Sequence, residues 1–215
     1  MQVVSGKVIV RAPLRIKESY IEDLLTNKTA WIEEKITQQL SAQTDQNQLC
    51  VGGQMWFDGR LYPLDISYGN KHTITLDNTS IQLVLKVTQD INPNTVNSLI
   101  KKRLEVWLKK QAEAYLIARS QHYSFIMSLS PNIITIRQYK TRWGSCNSLG
   151  NVQFNYLLMM APKWVIDYVV VHELCHLQHL NHSCAFWELV ELYCPNYAVA
   201  KQWLKKHQNQ LQWRL

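Results

Sequence analysis

Three features are missing from this 215-residue chain, and each absence removes a class of answer. It has no run of about 18 apolar residues, so no segment reads as a membrane-spanning helix. Its first ten residues, MQVVSGKVIV, lack the basic-then-apolar layout and small-residue cleavage site of a secretory leader. Its five cysteines (50, 146, 175, 184 and 194) include no C-x-x-C pair and are odd in number. That argues against a secreted disulfide framework and for reduced, buried thiols, with the cytoplasm as the expected compartment. Acidic side chains are also scarce, 16 against 23 Lys and Arg, for a net charge of +7. The excess is local: residues 86–142 carry ten Lys or Arg and three Asp or Glu. Such a segment can attract nucleic acid, although a solvated helix face gives the same pattern.

What remains is a globular composition, 47% apolar with eight tryptophans and ten tyrosines. VVSGKVIVRAP alternates around Ser5-Gly6 and predicts a hairpin closed by Pro13. Ser19 and Glu22 form an S-x-x-E capping box that opens a helix through Leu24 and Leu25. A second helix follows Asn27-Lys28, with Ile32, Ile36 and Leu40 on one stripe, and the polar stretch 39–48 reads as a linker. From Leu49 to Val87 short strands alternate with turns, including a hairpin around Asp77-Asn78. A long amphipathic helix, about Thr95 to Ser120, then carries Ile100, Leu104, Trp107, Leu108 and Tyr115 inward. Two strands and a turn region precede Ala161-Pro162. The helix after it, about Pro162 to His179, is apolar nearly all round and therefore buried. Asn181 suits a left-handed turn at its end, and Ser183 suits the cap of the next helix, which stops at Pro195. A last helix covers Ala198 to about Gln210.

That buried helix holds the chemistry. Four of the seven histidines fall within eleven residues, 172, 176, 179 and 182, and His172-Glu173-Leu174-Cys175-His176 is an H-E-x-x-H. Residues four apart on a helix share a face, so two imidazoles can grip one zinc ion with Glu173 beside them as general base. Polar groups on so apolar a helix are costly without partners, which favours a metal site over core histidines. His182 lies just past the helix end, where the chain can turn back to complete a three-ligand site with one position open to water. His179, Glu188 and Glu191 compete for that third place; Glu191 could instead orient a ligating histidine. Cys175 reads as a buried thiol rather than a fourth ligand. Arg142, His179, Tyr193 and Tyr197 are candidates to stabilise the charge that develops during hydrolysis. Arg142-Trp143-Gly144-Ser145-Cys146 marks a tight turn, and the strand after it, Asn151 to Asn155, could border the cleft and pair with an extended substrate.

RWGSC, then N-x-x-F-N-Y-x-L-x-x-A-P, then Y-V-V-V-H-E-L-C-H-L-x-H-x-N-H-S-x-x-F-W resemble the YgjP-like metallopeptidase family, SprT-related zincins described as predicted metal-dependent hydrolases. The likeness extends upstream through VRAP, W-I-E-E-K-I at 31–36 and G-R-L-Y-P-L at 59–64, and so covers nearly the whole chain. Family members commonly carry an additional basic strand before the first hairpin, whereas this chain starts almost inside it. The resemblance implies His172, His176 and His182 as zinc ligands and Glu173 as the catalytic base. It leaves the substrate open: SprT-like enzymes act on DNA-bound proteins, and some YgjP-like proteins are assigned nucleotide phosphoanhydride hydrolysis. The expectation is an α+β fold with a mixed N-terminal lobe rich in strands over 1–90. A zincin-like catalytic lobe follows over 91–215, its H-E-x-x-H helix packed on a small antiparallel sheet. The expected cofactor is one zinc ion and the expected partner a peptide or protein substrate. The competing readings are hydrolysis of a non-peptide bond, such as a nucleotide phosphoanhydride, and a nucleic-acid-associated module whose zinc is structural.

Overall fold

Strands and helices alternate along this chain because its apolar period switches between two and about 3.6 residues. A computed structural model describes all residues except 5–6, 14, 45–46, 87–91, 140 and 214–215, with the backbone alone at 4, 7 and 38–44. The chain divides into two compact units, residues 1–46 and 47–215.

In the first unit, strands β1 (Gln2–Val4) and β2 (Lys7–Ile9) pair antiparallel with Val3 opposite Val8. This is the expected hairpin, although its turn at 5–6 lies outside the described residues. Helix α1 (Glu18–Asn27) starts from Lys17 without a side-chain cap, so the anticipated Ser19–Glu22 capping box does not form. Ser19 already lies in the first turn, where its hydroxyl cannot serve as the N-cap. Helix α2 (Thr29–Thr44) runs on into the stretch expected to be a linker. Gln and Ala propagate a helix well even where no apolar anchor holds it.

The second unit contains two sheets. In the first, β3 (Gln54–Phe57), β4 (Arg60–Tyr68), β5 (Thr73–Leu76) and β6 (Ile81–Leu85) stand in the order β3-β4-β6-β5. The β5–β6 hairpin is the expected one. Its turn is tied by Asp77 Oδ1, which accepts from the Thr79 and Ser80 N–H groups at 2.7 Å each. β6 buries Ile81, Leu83 and Leu85, the alternation of a half-buried strand. Asp58 and Gly59 join β3 to β4 with φ of 46° and 73°, both positive as a type I′ turn requires. Their N–H groups donate to the Met159 and Met160 carbonyls of a 3₁₀ segment, Tyr156–Met160. The sheet is thereby joined to the lower part of the chain, and its apolar residues share one core with the later helices. The division into units accordingly falls at 46/47, whereas the sequence suggests a boundary near residue 90.

Helix α3 (Pro93–Met127) is longer than the pattern suggests. It starts with Pro93 in the first turn and Asn92 Oδ1 accepting from the Asn94 N–H, and ends at Ser128, which is left-handed at φ 51°. Its buried row is Val96, Ile100, Leu104, Leu108, Ala112, Leu116 and Ser120. A strict four-residue spacing overshoots a turn by about 40° per step, so this row spirals round the helix. One end can therefore face different neighbours from the other; α3 packs on the 3₁₀ segment, on strand β7 (Ile133–Arg137) and on helix α4 (Lys163–Cys175). Arg119 fixes the last contact with a two-pronged grip on Asp167, Nε to Oδ1 at 2.7 Å and Nη2 to Oδ2 at 2.9 Å.

The second sheet has the order β7-β9-β8, with β7 (Ile133–Arg137), β8 (Gly144–Cys146) and β9 (Asn151–Asn155). β8 runs antiparallel to β9, but β7 runs parallel to it. The sheet is mixed rather than antiparallel because the chain places β8 on the far edge before returning to the centre. Helices α5 (Cys184–Tyr193) and α6 (Tyr197–His207) complete the unit, and both pack on α4 or follow from it. Ser183 Oγ accepts from the Phe186 N–H at 3.4 Å, the cap the sequence suggests for α5.

Candidate metal centre

Helix α4 is buried along almost its whole length. Val165, Ile166, Tyr168, Val169, Val170, Val171, Leu174 and Cys175 are all buried, leaving the helix almost no solvent face. His172 and Glu173 lie in its last turn, and His176 is its C-cap. The helix ends there, three residues earlier than the sequence suggests, so His179 is not helical. Asn181 does not take the anticipated left-handed conformation either; among the described non-glycine residues only Asp58 and Ser128 do. The early ending lets the chain turn back at once and bring His182 over the two helical histidines.

The three imidazoles form a near-regular triangle, with ring centroids 4.9 Å (172–176), 5.1 Å (172–182) and 4.9 Å (176–182) apart. Their candidate ligand atoms all lie within 4.8 Å of one another, the one such group among the described residues. The Nε2 atoms of His172 and His182 are 3.2 Å apart. Nitrogens bonded at about 2.0–2.1 Å to a tetrahedral ion stand about 3.4 Å from each other, so this spacing fits a shared ion. His176 Nδ1 donates to the His179 carbonyl at 2.9 Å, which fixes the tautomer and leaves Nε2 bare towards the other rings. His179 thus acts through its backbone. His172 Nδ1 is buried without a partner among the described residues.

Electrostatics agree with the geometry. Burial lowers the His172 pKa to about 3, helped by the charges of His176, His182 and Lys201. Burial also lowers that of His176, against the His179 hydrogen bond. Both rings therefore stay neutral at pH 7 with lone pairs available. Glu173 is 6% exposed, and burial pushes it up to about 8, opposed by the nearby positive charge of Arg142. That places its proton affinity close to neutrality, where a proton-transferring group works best.

The RWGSC turn explains how Glu173 fits. A Cβ on Gly144 would lie 2.6 Å from both Cγ and Oε1 of Glu173. Only glycine leaves room for the carboxylate between α4 and β8. Buried Asn155 holds this approach: its Nδ2 donates to the Tyr139 and Arg142 carbonyls at 2.9 and 3.1 Å, and its Oδ1 accepts from the Leu157 N–H. The Asn155 N–H also donates to the Trp143 carbonyl at 2.8 Å. Cys146, on β8 with Gly144, is a thiol pushed up to about 11 by burial and by Glu173. Cys175 is buried, as expected, and lies outside the histidine group.

An aromatic wall closes the other side. Phe186 stacks on His176 at 4.6 Å, Trp187 stacks on His182 at 5.6 Å, and Tyr168 meets His172 edge-on at 5.7 Å. Of the sequence candidates, Arg142 is coupled to Glu173 and stands over the Tyr139 ring, Tyr197 stacks on Trp187 at 5.2 Å, and Tyr193 packs against the core. Glu188 and Glu191 are exposed and are not brought to the triad. Lys201 is a neighbour of the centre that the sequence does not single out, because only the tertiary fold joins it to the histidines; Tyr168, Gly144 and Trp187 were visible merely as parts of motifs. β9, proposed as the strand beside the substrate, is flanked on both sides, and β8 is the edge strand next to α4.

The family described as YgjP-like, metallopeptidase domain, matches residues 1–207. Comparison with curated proteins finds no match. Among solved structures, the metallopeptidase zymogen of Pyrococcus abyssi abylysin is 21% identical over 43% of this chain and 95% of its own, with a TM-score of 0.40. A likeness that slight carries no weight for the chemistry.

Proposed function

The chain belongs to the YgjP-like metallopeptidase-domain family of metal-dependent hydrolases, and from that premise we propose that it is a zinc-dependent peptidase. His172, His176 and His182 would hold the ion, and Glu173 would move protons. The observation that carries this reading is the convergence of three imidazoles, two of them held neutral by burial, beside a buried, in-motif carboxylate. A zinc ion held there supplies a Lewis acid that acidifies water and polarises a carbonyl oxygen.

The chain's own groups do the rest. The Glu173 carboxylate accepts the proton of the attacking water as the new C–O bond forms, and returns it to the leaving nitrogen as the C–N bond breaks. Gly144 lets that carboxylate stand between α4 and β8, and Arg142 favours its ionised form. The outer edge of β8 carries no described strand partner, so an extended peptide can add there by main-chain pairing, on the strand that packs against α4.

Two features favour this over a structural-zinc module that binds nucleic acid. A structural zinc site is closed by four protein ligands, whereas the described residues bring only three together. In the basic segment, Lys109 is paired with Glu105 and Arg119 with Asp167, so part of its charge is already committed. Among the described residues no helix is long and apolar enough to cross a membrane.

Elemental analysis of the purified protein, with peptide hydrolysis before and after chelation, tests the proposal. One zinc per chain is expected, with activity lost on chelation and restored by zinc. His182→Ala should bind zinc at least about 10-fold more weakly. Full peptide hydrolysis by the chelated protein would overturn it.

A further inference from the structure

The His182 side of the triad carries a cation that the hydrolytic scheme does not use. Lys201 lies on α6 one turn beyond Tyr197, so the two side chains share a face of that helix. Tyr197 stacks on the Trp187 ring at 5.2 Å, and the Lys201 Nζ stands over the same ring, 4.4 Å from its centroid. Trp187 in turn stacks on His182 and is 5.8 Å from the His172 ring. The ammonium is therefore held one aromatic ring away from the ligand set.

Two further facts bear on what Lys201 can do. It is exposed and has no carboxylate within 4.0 Å among the described residues, unlike Lys109, Arg119 and Lys163. It also stands beside a site that would take a cation, where like charge is unfavourable until an anion arrives. An aromatic face orients an ammonium without neutralising it, so the charge stays available to a ligand.

We propose that Lys201 is a specificity residue that binds a carboxylate of the peptide substrate next to the scissile bond. The carboxylate has two sources, an acidic side chain or the free C-terminus of a short peptide. This inference rests on the peptidase reading and names the substrate class of that same site. Rim charges of this kind act on selection and encounter more than on the chemical step.

Paired peptides that differ by Glu against Gln at each position around the cleaved bond, and by a free against an amidated C-terminus, separate the two sources. The wild type should prefer the carboxylate member in kcat/KM by about 5-fold, the upper range for an exposed pair. Lys201→Met should bring the ratio close to one, Lys201→Arg should retain it, and Lys201→Glu should invert it in favour of the uncharged or Lys-containing member. Binding provides a readout apart from turnover: Glu173→Gln should bind the carboxylate peptide more tightly than its neutral partner, and adding Lys201→Met should remove the difference. Chelator competition should also show Lys201→Glu binding zinc tighter than the wild type. If the wild type cleaves none of the peptides, the peptidase reading fails and this inference with it. If it cleaves both members of every pair equally, or the preference survives in Lys201→Met, only the role of Lys201 is overturned.

Discussion

The two flanks of the histidine triad are built by opposite means. On one, Glu173 is shut between α4 and β8, in a space that a single added methyl would close, with Asn155 holding the adjacent backbone. On the other, exposed His182 is held by ring stacking on Trp187, with Tyr197 and Lys201 against the same indole. The first flank is desolvated and rigid, the setting in which a carboxylate gains a proton affinity near neutrality. The second presents an exposed histidine and an exposed ammonium on an aromatic wall, the setting in which a charge stays available to a ligand. On the proposed reading, proton handling falls to the first flank and selection of the substrate to the second.

Substitutions that strike one flank should therefore leave a different signature from those on the other. The largest effect is expected for Gly144→Ala, whose Cβ would overlap Glu173 and force the carboxylate aside. Hydrolysis should fall by about 100-fold or more, the cost of a displacement near 1 Å, while zinc stoichiometry is retained. An active Gly144→Ala protein would show that the space beneath β8 is not needed. Asn155→Ala comes next: it orphans the Tyr139 and Arg142 carbonyls, and urea unfolding should show a loss of about 2–3 kcal/mol. On the open flank, Trp187→Ala frees His182, and chelator competition should reveal about 10-fold weaker zinc binding. Equal zinc affinity would remove the indole as a support for that ligand.

The smallest effect is a pH dependence that both flanks share. In chelated protein the unfolded histidines take up protons near about 6.5, whereas folded His172 resists down to about 3 and His176 is also depressed. Their contribution is present above about 6.5 and is lost as the pH falls. Folded Glu173 is raised to about 8, so the unfolded state sheds its proton first, and that contribution declines as the pH rises from about 4.5. The unfolding midpoint should therefore peak near pH 6.5, and Glu173→Gln should flatten the alkaline side and steepen the rise between about 4.5 and 6.5. A midpoint that rises steadily to pH 8 would contradict the burial of Glu173.

The centre was more legible in the sequence than the fold around it. His172 and His176 could be read from a four-residue spacing on a helix that is apolar all round, because that spacing is local and its burial is written in the neighbours. His182 followed from its place just past the helix, although the helix ends at His176 and not at His179. The sheet was less accessible: β8 is three residues long with no alternation to reveal it, and the parallel pairing of β7 with β9 and of β4 with β6 joins segments whose register no local pattern encodes. Gly144 was visible as a tight turn but not as the cover of Glu173, and Lys201 belongs to a helix whose docking the sequence does not state.

The central claim is that Glu173 moves the proton without holding the ion, and Glu173→Gln tests it most directly. The account predicts one zinc per chain, as in the wild type, with peptide hydrolysis down by about 100- to 10,000-fold. Wild-type hydrolysis in that variant would contradict it.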